Sequence, residues 1–417
     1  MTIMETSLSR IINIEKLSFT SGAHLLIKRA LRDLPAGARL GVRVSTPDFA
    51  AHLRGWCREQ GHEYVEGDDQ LAWIARGAAA HGRWRQAERS GLADARENDA
   101  APVDAPPADW GFAARGAAIE AGGPAFHYAL QTKKQVWAEN VPKLYAQAVA
   151  AQWNPQTAIN WDEPFAPGAP GVPGAPGAED EEMERAVVQV MTYLIENENA
   201  ALQVPARFIA QIHPHFREVL QLLAVQIADE ARHVEVFTRR ATLRGGELGL
   251  STVSGRQSLK TLLDEPDFAL ASFLLSVLGE GTFLNLLWFL ERHAPDPLTR
   301  RIALLVAQDE ARHVAFGVGH LQYQLATDPA LRERLALAVT RRHEALAQTS
   351  GLNEEVFDAL ILMAAGSWRP EDIAAGYARA QTLKDEMRAG RKARLEKLGF
   401  SDAEAAELSA LHTRNFM

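Results

Sequence analysis

The sequence contains a single cysteine, Cys57, among 417 residues. One cysteine excludes an internal disulfide, and it excludes metal sites built from several thiolates. A reducing compartment suits this composition, and we therefore expect a cytoplasmic protein. The start of the chain, MTIMETSLSR, also lacks the apolar stretch of a secretory signal.

Long basic runs are absent, and the formal net charge is −9, from 44 basic and 53 acidic residues. Nucleic acid is therefore not an expected partner. The glycine-rich GxGxxG fingerprint of dinucleotide-binding folds is missing as well. If the chain catalyses a redox reaction, we expect its electrons to come from an external reductase or ferredoxin.

The longest apolar run covers residues 268–290 and could span a bilayer by its length. Glu280 lies in its middle, between two glycines, and a carboxylate at the membrane midplane is costly. This run is predicted to be a buried core helix, so we expect no membrane association.

The chain is long enough for two or three domains. Residues 1–78 alternate strand and helix patterns in the order βαβαββ, which predicts a small two-layer α/β domain. Residues 79–125 show little periodicity and are interpreted as a linker. Residues 126–417 are predicted to form a mainly α domain, in which a Pro/Gly-rich stretch at 164–180 is either a connector or a lid.

The stretch LPAGARLGVRVSTPDFAAHLRGWCREQGHEYVE (34–66) resembles the TusA-like sulfur-carrier family. That family carries sulfur on a Cys-Pro motif at the start of its first helix, where this chain has SFTSGAH (18–24) and Thr20 takes the place of the cysteine. Cys57 matches a second cysteine of the family and is interpreted as a core residue. We expect a domain that docks a partner or presents substrate and does not carry sulfur.

Eight helices are predicted in the second half of the chain, at 181–212, 215–243, 266–292, 298–325, 329–349, 353–365, 370–390 and 402–411. Short turns, HPHF and HAPDP, separate the first two pairs of long helices. Short turns between long helices indicate antiparallel neighbours in a bundle.

The hexapeptide DEARHV occurs twice, at 229–234 and 309–314. Each copy contains Glu-x-x-His, and residues three apart share one helix face. Glu230 with His233, and Glu310 with His313, can therefore each point at one metal. A bundle that adds one glutamate from each of two further helices binds two metals in its core.

The two further glutamates are predicted on the helix before each repeat. Glu280 is the only charged residue between 269 and 290. In the earlier helix, Glu196 and Glu198 compete, and only Glu198 is in phase with the apolar stripe of Met191 and Leu194, so we favour Glu198. Apolar residues around both repeats argue against the alternative, a solvated ion-pair face.

The other residues of the repeat are predicted to hold the ligands. A metal-bound histidine usually donates its second N–H to a carboxylate, and Asp229 and Asp309 are suitable acceptors. Arg232 and Arg312 are expected to pair with these aspartates. Carboxylate and imidazole ligands favour two iron ions, with manganese possible at one position.

These motifs resemble the ferritin-like diiron-carboxylate superfamily. DEARH matches the DExRH pattern of bacterial multicomponent monooxygenases, and QWNPQTAINW (152–161) is similar to a region of p-aminobenzoate N-oxygenase-like proteins. The resemblance implies a ferritin-like four-helix bundle with extra helices, binding two irons and reacting with O2.

Two departures narrow the reactions that the resemblance implies. Phe237 stands where ribonucleotide reductase small subunits keep a radical tyrosine. Val306 stands where the N-oxygenases have a seventh ligand, a histidine. We therefore predict an O2-dependent oxidase or monooxygenase that hydroxylates a small organic substrate or oxygenates an amine or other heteroatom. The alternatives are a ferroxidase or iron-handling protein, or a binding protein associated with sulfur relay. A homodimer is expected from the same resemblance.

Overall fold

The structure is a computed structural model that describes residues 9–43, 48–68, 70–78, 84, 86–91, 102–162, 178–347 and 354–411. It divides into two compact units, Met1–Ala101 with Ala108–Phe126, and Pro102–Pro107 with His127–Met417. Most of the Pro/Gly-rich stretch, predicted to be a connector or a lid, lies outside the described residues.

The first unit has the predicted βαβαββ order. Its elements are β1 (Ser9–Asn13), α1 (Ala23–Arg32), β2 (Arg39–Arg43), α2 (Phe49–Gln60), β3 (Glu63–Asp68) and β4 (Leu71–Ala75). The sheet order is β1-β2-β4-β3, with β1 and β2 parallel and the other two pairs antiparallel. Two short strands, β5 (Glu88–Arg89) and β6 (Ala118–Ile119), pair within the segment interpreted as a linker.

Apolar side chains of α1 and α2 pack on this sheet. Ile27, Leu53 and Leu40 are fully buried there, and so is Cys57. Burial raises the pKa of the Cys57 thiol to about 12, which makes this thiol unreactive at neutral pH. Cys57 is a core residue, as predicted, while the sulfur-carrier resemblance of this unit stays a prediction.

The second unit is helical. Its helices before the repeats are α3 (Lys133–Val136), α4 (Val141–Ala150) and α5 (Ala178–Ile209). The central ones are α6 (Arg217–Thr242), α7 (Val253–Leu263), α8 (Phe268–Ser272), a π-helix (Phe273–Glu280), α9 (Gly281–His293) and α10 (Pro297–Thr327). The last are α11 (Leu331–Ala347), α12 (Glu354–Ala365), α13 (Pro370–Lys397) and α14 (Asp402–Ala410).

Helix boundaries follow from local chemistry. Asp296 caps α10 by accepting a hydrogen bond from the Thr299 amide at 2.7 Å, and Pro297 occupies the first helical position. The eight predicted helices are present, with ends that differ by a few residues. One feature differs from the prediction, because α7 was not expected. The glycines Gly279 and Gly281 beside Glu280 allow two interpretations, a π-bulge or close packing of helices, and the apolar helix does contain a π-helix.

Four long helices, α5, α6, α8–π–α9 and α10, form a bundle whose interior has three levels. One apolar core contains Phe208, Leu223 and Phe273, and a second contains Leu194, Val236 and Leu286 among its members. The predicted ligands lie between these two cores along every helix. The apolar segment Phe268–His293 is long enough to cross a membrane, but 83% of its most apolar window is buried in the protein, as expected of a core helix.

Candidate metal centre

The bundle brings all six predicted ligands together at the middle level. Each is almost fully buried, with 5% or less of its surface exposed. Their donor atoms form two groups, and within each group the atoms lie within 4.8 Å of one another. One group is Glu198, Glu230, His233 and Glu310. The other is Glu230, Glu280, Glu310 and His313. Glu230 and Glu310 therefore belong to both groups.

The structure distinguishes between the two candidate glutamates of α5. Glu198 is 2% exposed, and its carboxylate lies 3.5 Å from Nδ1 of His233. Glu196 is half-buried and faces α7, where its carboxylate lies close to Gly255. The phase of the apolar stripe therefore selected the residue that reaches the cluster.

Both histidines present the same ring atom to the cluster. Nδ1 of His233 lies 3.2 Å from Glu230, and Nδ1 of His313 lies 3.1 Å from the same residue. Their Nε2 atoms point away from the cluster and toward aspartates. This orientation leaves Nδ1 for a metal and Nε2–H for a hydrogen bond that fixes the ring.

The aspartate that each histidine contacts belongs to the other repeat. Nε2 of His233 is 3.2 Å from Asp309, and Nε2 of His313 is 3.3 Å from Asp229. Arg232 pairs with Asp229 and also, at 3.0 Å, with Asp309. Arg312 pairs with Asp309. The four residues predicted to hold the ligands, Asp229, Arg232, Asp309 and Arg312, thus form one network that joins α6 to α10.

Three further residues that contact this network or the cluster itself were not predicted. Gln152 donates to Asp229 at 2.9 Å, and the indole N–H of Trp153 donates to Asp309 at 2.7 Å. Gln226, one turn before Glu230, donates to Glu280 at 3.1 Å. The only sequence signal for Gln152 and Trp153 was the QWNPQTAINW resemblance, which did not specify a role.

Burial and mutual charge strongly perturb the acidic and basic groups of the cluster. Burial, followed by the charges of neighbouring glutamates, raises the pKa of Glu198 and of Glu280 well above the usual range. Burial alone would lower the pKa of His233, but hydrogen bonds to Asp309 and Glu198 raise it well above its usual value. Without metal, the cluster therefore retains protons that a metal ion would displace.

Metal coordination suits the atoms of this cluster. One carboxylate oxygen each of Glu198, Glu280 and Glu310 is buried without a hydrogen-bond partner in the described structure. Buried polar atoms without partners are costly, and coordination removes that cost. Four carboxylates and two imidazoles form a donor set able to bind two metal ions.

A small cavity adjoins the cluster. Its volume is about 20 Å³, and its lining includes Glu198, Glu280, Glu310, Leu262, Leu275 and Phe283. That volume holds about one water-sized molecule. The π-helix ends at Glu280 beside this cavity.

No family model matches this chain, and no curated protein matches it. Solved structures of R2-like ligand-binding oxidases are similar to it. A variant of that protein with an aerobically reconstituted Mn/Fe cofactor is 18% identical, with a TM-score of 0.45 over 64% of this chain and 95% of that chain. The form without metal cofactor is 17% identical, with a TM-score of 0.45 over 63% and 97%.

A further variant with an anaerobically reconstituted Mn/Fe cofactor is 17% identical, with a TM-score of 0.47 over 64% of this chain and 95% of that chain. The helices themselves confirm the predicted mainly α fold of the second unit, in which α5, α6, α8–π–α9 and α10 surround a buried carboxylate–histidine cluster able to bind two metals.

Proposed function

We propose that this protein is an O2-dependent dimetal oxidase, and more specifically a diiron monooxygenase of a small organic substrate. The observation that carries the proposal is the pair of overlapping donor groups, which share Glu230 and Glu310. Glu230 and Glu310 would each serve both ions, which suits a centre that activates one O2 molecule. Hydroxylation and heteroatom oxygenation are the expected reactions.

Glu198 and His233 would complete one ion's ligands, and Glu280 and His313 would complete those of the other. Oxygen and nitrogen donors without sulfur favour iron, with manganese possible at one position. When bound, the two ions would supply the electrons that activate O2. The Mn/Fe cofactors of the similar oxidases are consistent with either metal.

The protein's own residues would orient the ligands and limit access to them. Asp229 and Asp309 hold the two imidazoles by Nε2, so that Nδ1 remains available to a metal. The cavity of about 20 Å³ admits a molecule of the size of O2 and excludes a larger one. An organic substrate would therefore need additional space near the centre.

A second cavity, which is also lined by a residue of the π-helix, offers such a space. Its volume is about 330 Å³, within the range of small-molecule sites. Leu274 lines this outer cavity, and its neighbour Leu275 lines the inner one. In the proposed function, the substrate occupies the outer cavity. An external reductase or ferredoxin supplies electrons, and the active form is a homodimer in the cytoplasm.

Mössbauer spectroscopy of protein loaded with iron-57 tests the proposal. The reduced protein should bind two irons per chain and convert, on exposure to O2, to a coupled diferric state. One ion per chain, or a bound zinc that does not react with O2, would rule the function out. Glu310→Ala is the matched control, because it removes a shared ligand and should give no coupled signal.

The ferroxidase alternative is tested with excess iron(II). A ferroxidase would oxidise many irons per chain and deposit ferric mineral, whereas an oxygenase would stop after the two resident irons. The sulfur-relay alternative predicts a stable complex with a sulfur-transfer protein that survives Glu310→Ala. Either result would replace the proposed function with the corresponding alternative.

A further inference from the structure

The π-helix that ends at Glu280 is an unusual way to present a ligand. The Gly281 amide reaches back to the carbonyl of Ser276, five residues earlier, where an α-helix would pair residues four apart. π-helices are rare and concentrate at functional sites. Because the wider turn is less favourable than an α-helical one, another part of the protein must stabilise it.

Arg394, on α13, makes a direct contact with this π-helix. Its Nε donates a hydrogen bond to the carbonyl oxygen of Val277 at 2.7 Å. Its Nη2 is buried, with no hydrogen-bond partner in the described part of the chain. Burial, together with the charge of Arg391, lowers the pKa of Arg394 to about 9. The protein thus keeps a costly cation at this position.

Two glycines create the space that the guanidinium occupies. A Cβ atom added at Gly281 would lie 2.4 Å from Nε of Arg394. A Cβ atom added at Gly390, on α13 itself, would lie 3.2 Å from Nη1. A side chain at position 281 would therefore displace the guanidinium from the Val277 carbonyl. Gly281 directly follows Glu280, so the space lies next to the ligand.

We propose that Arg394 is a positioning residue that stabilises the π-helix and thereby directs Glu280 toward the metal centre. If the segment relaxed to an α-helix, one residue would have to shift along the helix. A shift of one residue rotates a side chain by about 100° around the helix axis, which would turn Glu280 away from the cluster. This inference rests on the proposed function, because it assigns Arg394 a role at the same dimetal site.

The test measures metal binding and amide hydrogen exchange in Arg394→Met and Gly281→Ala. Wild-type protein, titrated anaerobically with iron(II), should bind two ions. Both variants should keep the ion bound by Glu198 and His233, and affinity for the second ion should fall by about 10- to 100-fold. In the metal-free protein, amides of residues 277–281 should exchange faster in Arg394→Met than in wild type.

Arg379→Met is the matched control. Arg379 is also on α13, and it donates a hydrogen bond to a backbone carbonyl, that of Ala364, away from the π-helix. This variant should bind two ions with wild-type affinity and leave exchange at 277–281 unchanged. Arg394→Lys keeps the charge and a hydrogen-bond donor. Its affinity for the second ion should therefore be higher than that of Arg394→Met, a difference that a role in general packing would not predict.

The outcomes separate this inference from the proposed function. If wild type binds two ions and Arg394→Met does so with unchanged affinities and exchange, Arg394 is not a positioning residue. If wild type binds no pair of ions, the proposed function fails. The exchange comparison in metal-free protein still decides whether Arg394 stabilises the π-helix. If Arg394→Met does not fold, Gly281→Ala provides the same test, because it displaces only the end of a flexible side chain.

Discussion

The two halves of the candidate metal cluster contribute the same types of side chain from helices of different geometry. Glu198 lies within an uninterrupted α-helix, α5, whereas Glu280 ends a π-helix and is followed by Gly281. The glutamates that follow, Glu230 and Glu310, are both in regular α-helices. The two identical repeats therefore have the same helical geometry. The halves differ in the helix that carries Glu198 or Glu280.

The largest effect is expected from the ligands that both halves share. Glu310→Ala, like Glu230→Ala, removes an atom from both donor groups. Each variant should bind neither ion tightly and should not consume O2. Metal analysis after dialysis and Mössbauer spectroscopy check this. Retention of one tightly bound ion by either variant would show that the carboxylate serves a single metal.

The unshared glutamates should separate the two halves. Glu198→Gln should lose mainly the ion near His233, and Glu280→Gln mainly the ion near His313. Because burial and neighbouring charge raise the pKa of both carboxyls, each neutral substitution should stabilise the metal-free protein by about 1–3 kcal/mol. Urea unfolding and iron titration of each variant measure the two effects. Loss of both ions in both variants would contradict the assignment of Glu198 and Glu280 to different ions.

The crossed aspartates should give a smaller effect on metal affinity. Burial alone would raise the pKa of Asp309, but hydrogen bonds from His233 and Trp153 hold it well below its usual range. Asp309→Asn should weaken binding of the ion near His233 by about 10- to 100-fold, and Asp229→Asn that of the ion near His313. Competition with a chelator measures both. Trp153→Phe removes only the indole hydrogen bond to Asp309. If Asp309→Asn weakened the ion near His313 and Asp229→Asn the ion near His233, the crossed pairing would be refuted.

The smallest effect concerns His320, whose pKa is lowered, whereas the pKa values of His233 and His313 are raised. Burial lowers the pKa of His320 from 6.5 to about 4, although Nδ1 contacts the Trp137 carbonyl at 3.2 Å. The unfolded chain then binds more protons between about pH 6.5 and pH 4. The free energy of unfolding should therefore decrease as the pH is lowered from about 6.5 to about 4. This residue should account for at most about 3 kcal/mol of that decrease.

Urea unfolding of wild type and His320→Asn at pH 7 and pH 4.5 measures this contribution. Asparagine keeps a hydrogen-bond donor near the Nδ1 position and does not titrate. The variant should lose less stability on acidification than wild type. An equal loss would show that His320 takes up its proton in the folded protein as readily as in the unfolded chain.

Much of the site followed from helical periodicity. The spacing of Glu-x-x-His gave the shared face, and the phase of the apolar stripe selected Glu198 over Glu196. Periodicity places a residue on a face but does not give the rotation of one helix against another. The crossed contacts of Asp229 and Asp309 could therefore not be predicted.

Other features depend on contacts distant in sequence. Gln152 and Trp153 reach the aspartates from a segment before the bundle, and Arg394 reaches the π-helix from α13. Helix α7 was missed because Val, Ser and Gly open its sequence, VSGRQSLKTLL, and these residues have low helix propensity. Tertiary contacts with neighbouring helices override that propensity.

The crossed network has a consequence for symmetry. Exchanging the two repeats converts the contact of His233 with Asp309 into the contact of His313 with Asp229, so this part of the site is unchanged by a twofold operation. The neighbours Gln152 and Trp153 break the symmetry, because one donates to Asp229 and the other to Asp309. The neutral amide beside Asp229 and the indole beside Asp309 therefore give the two histidines chemically different surroundings.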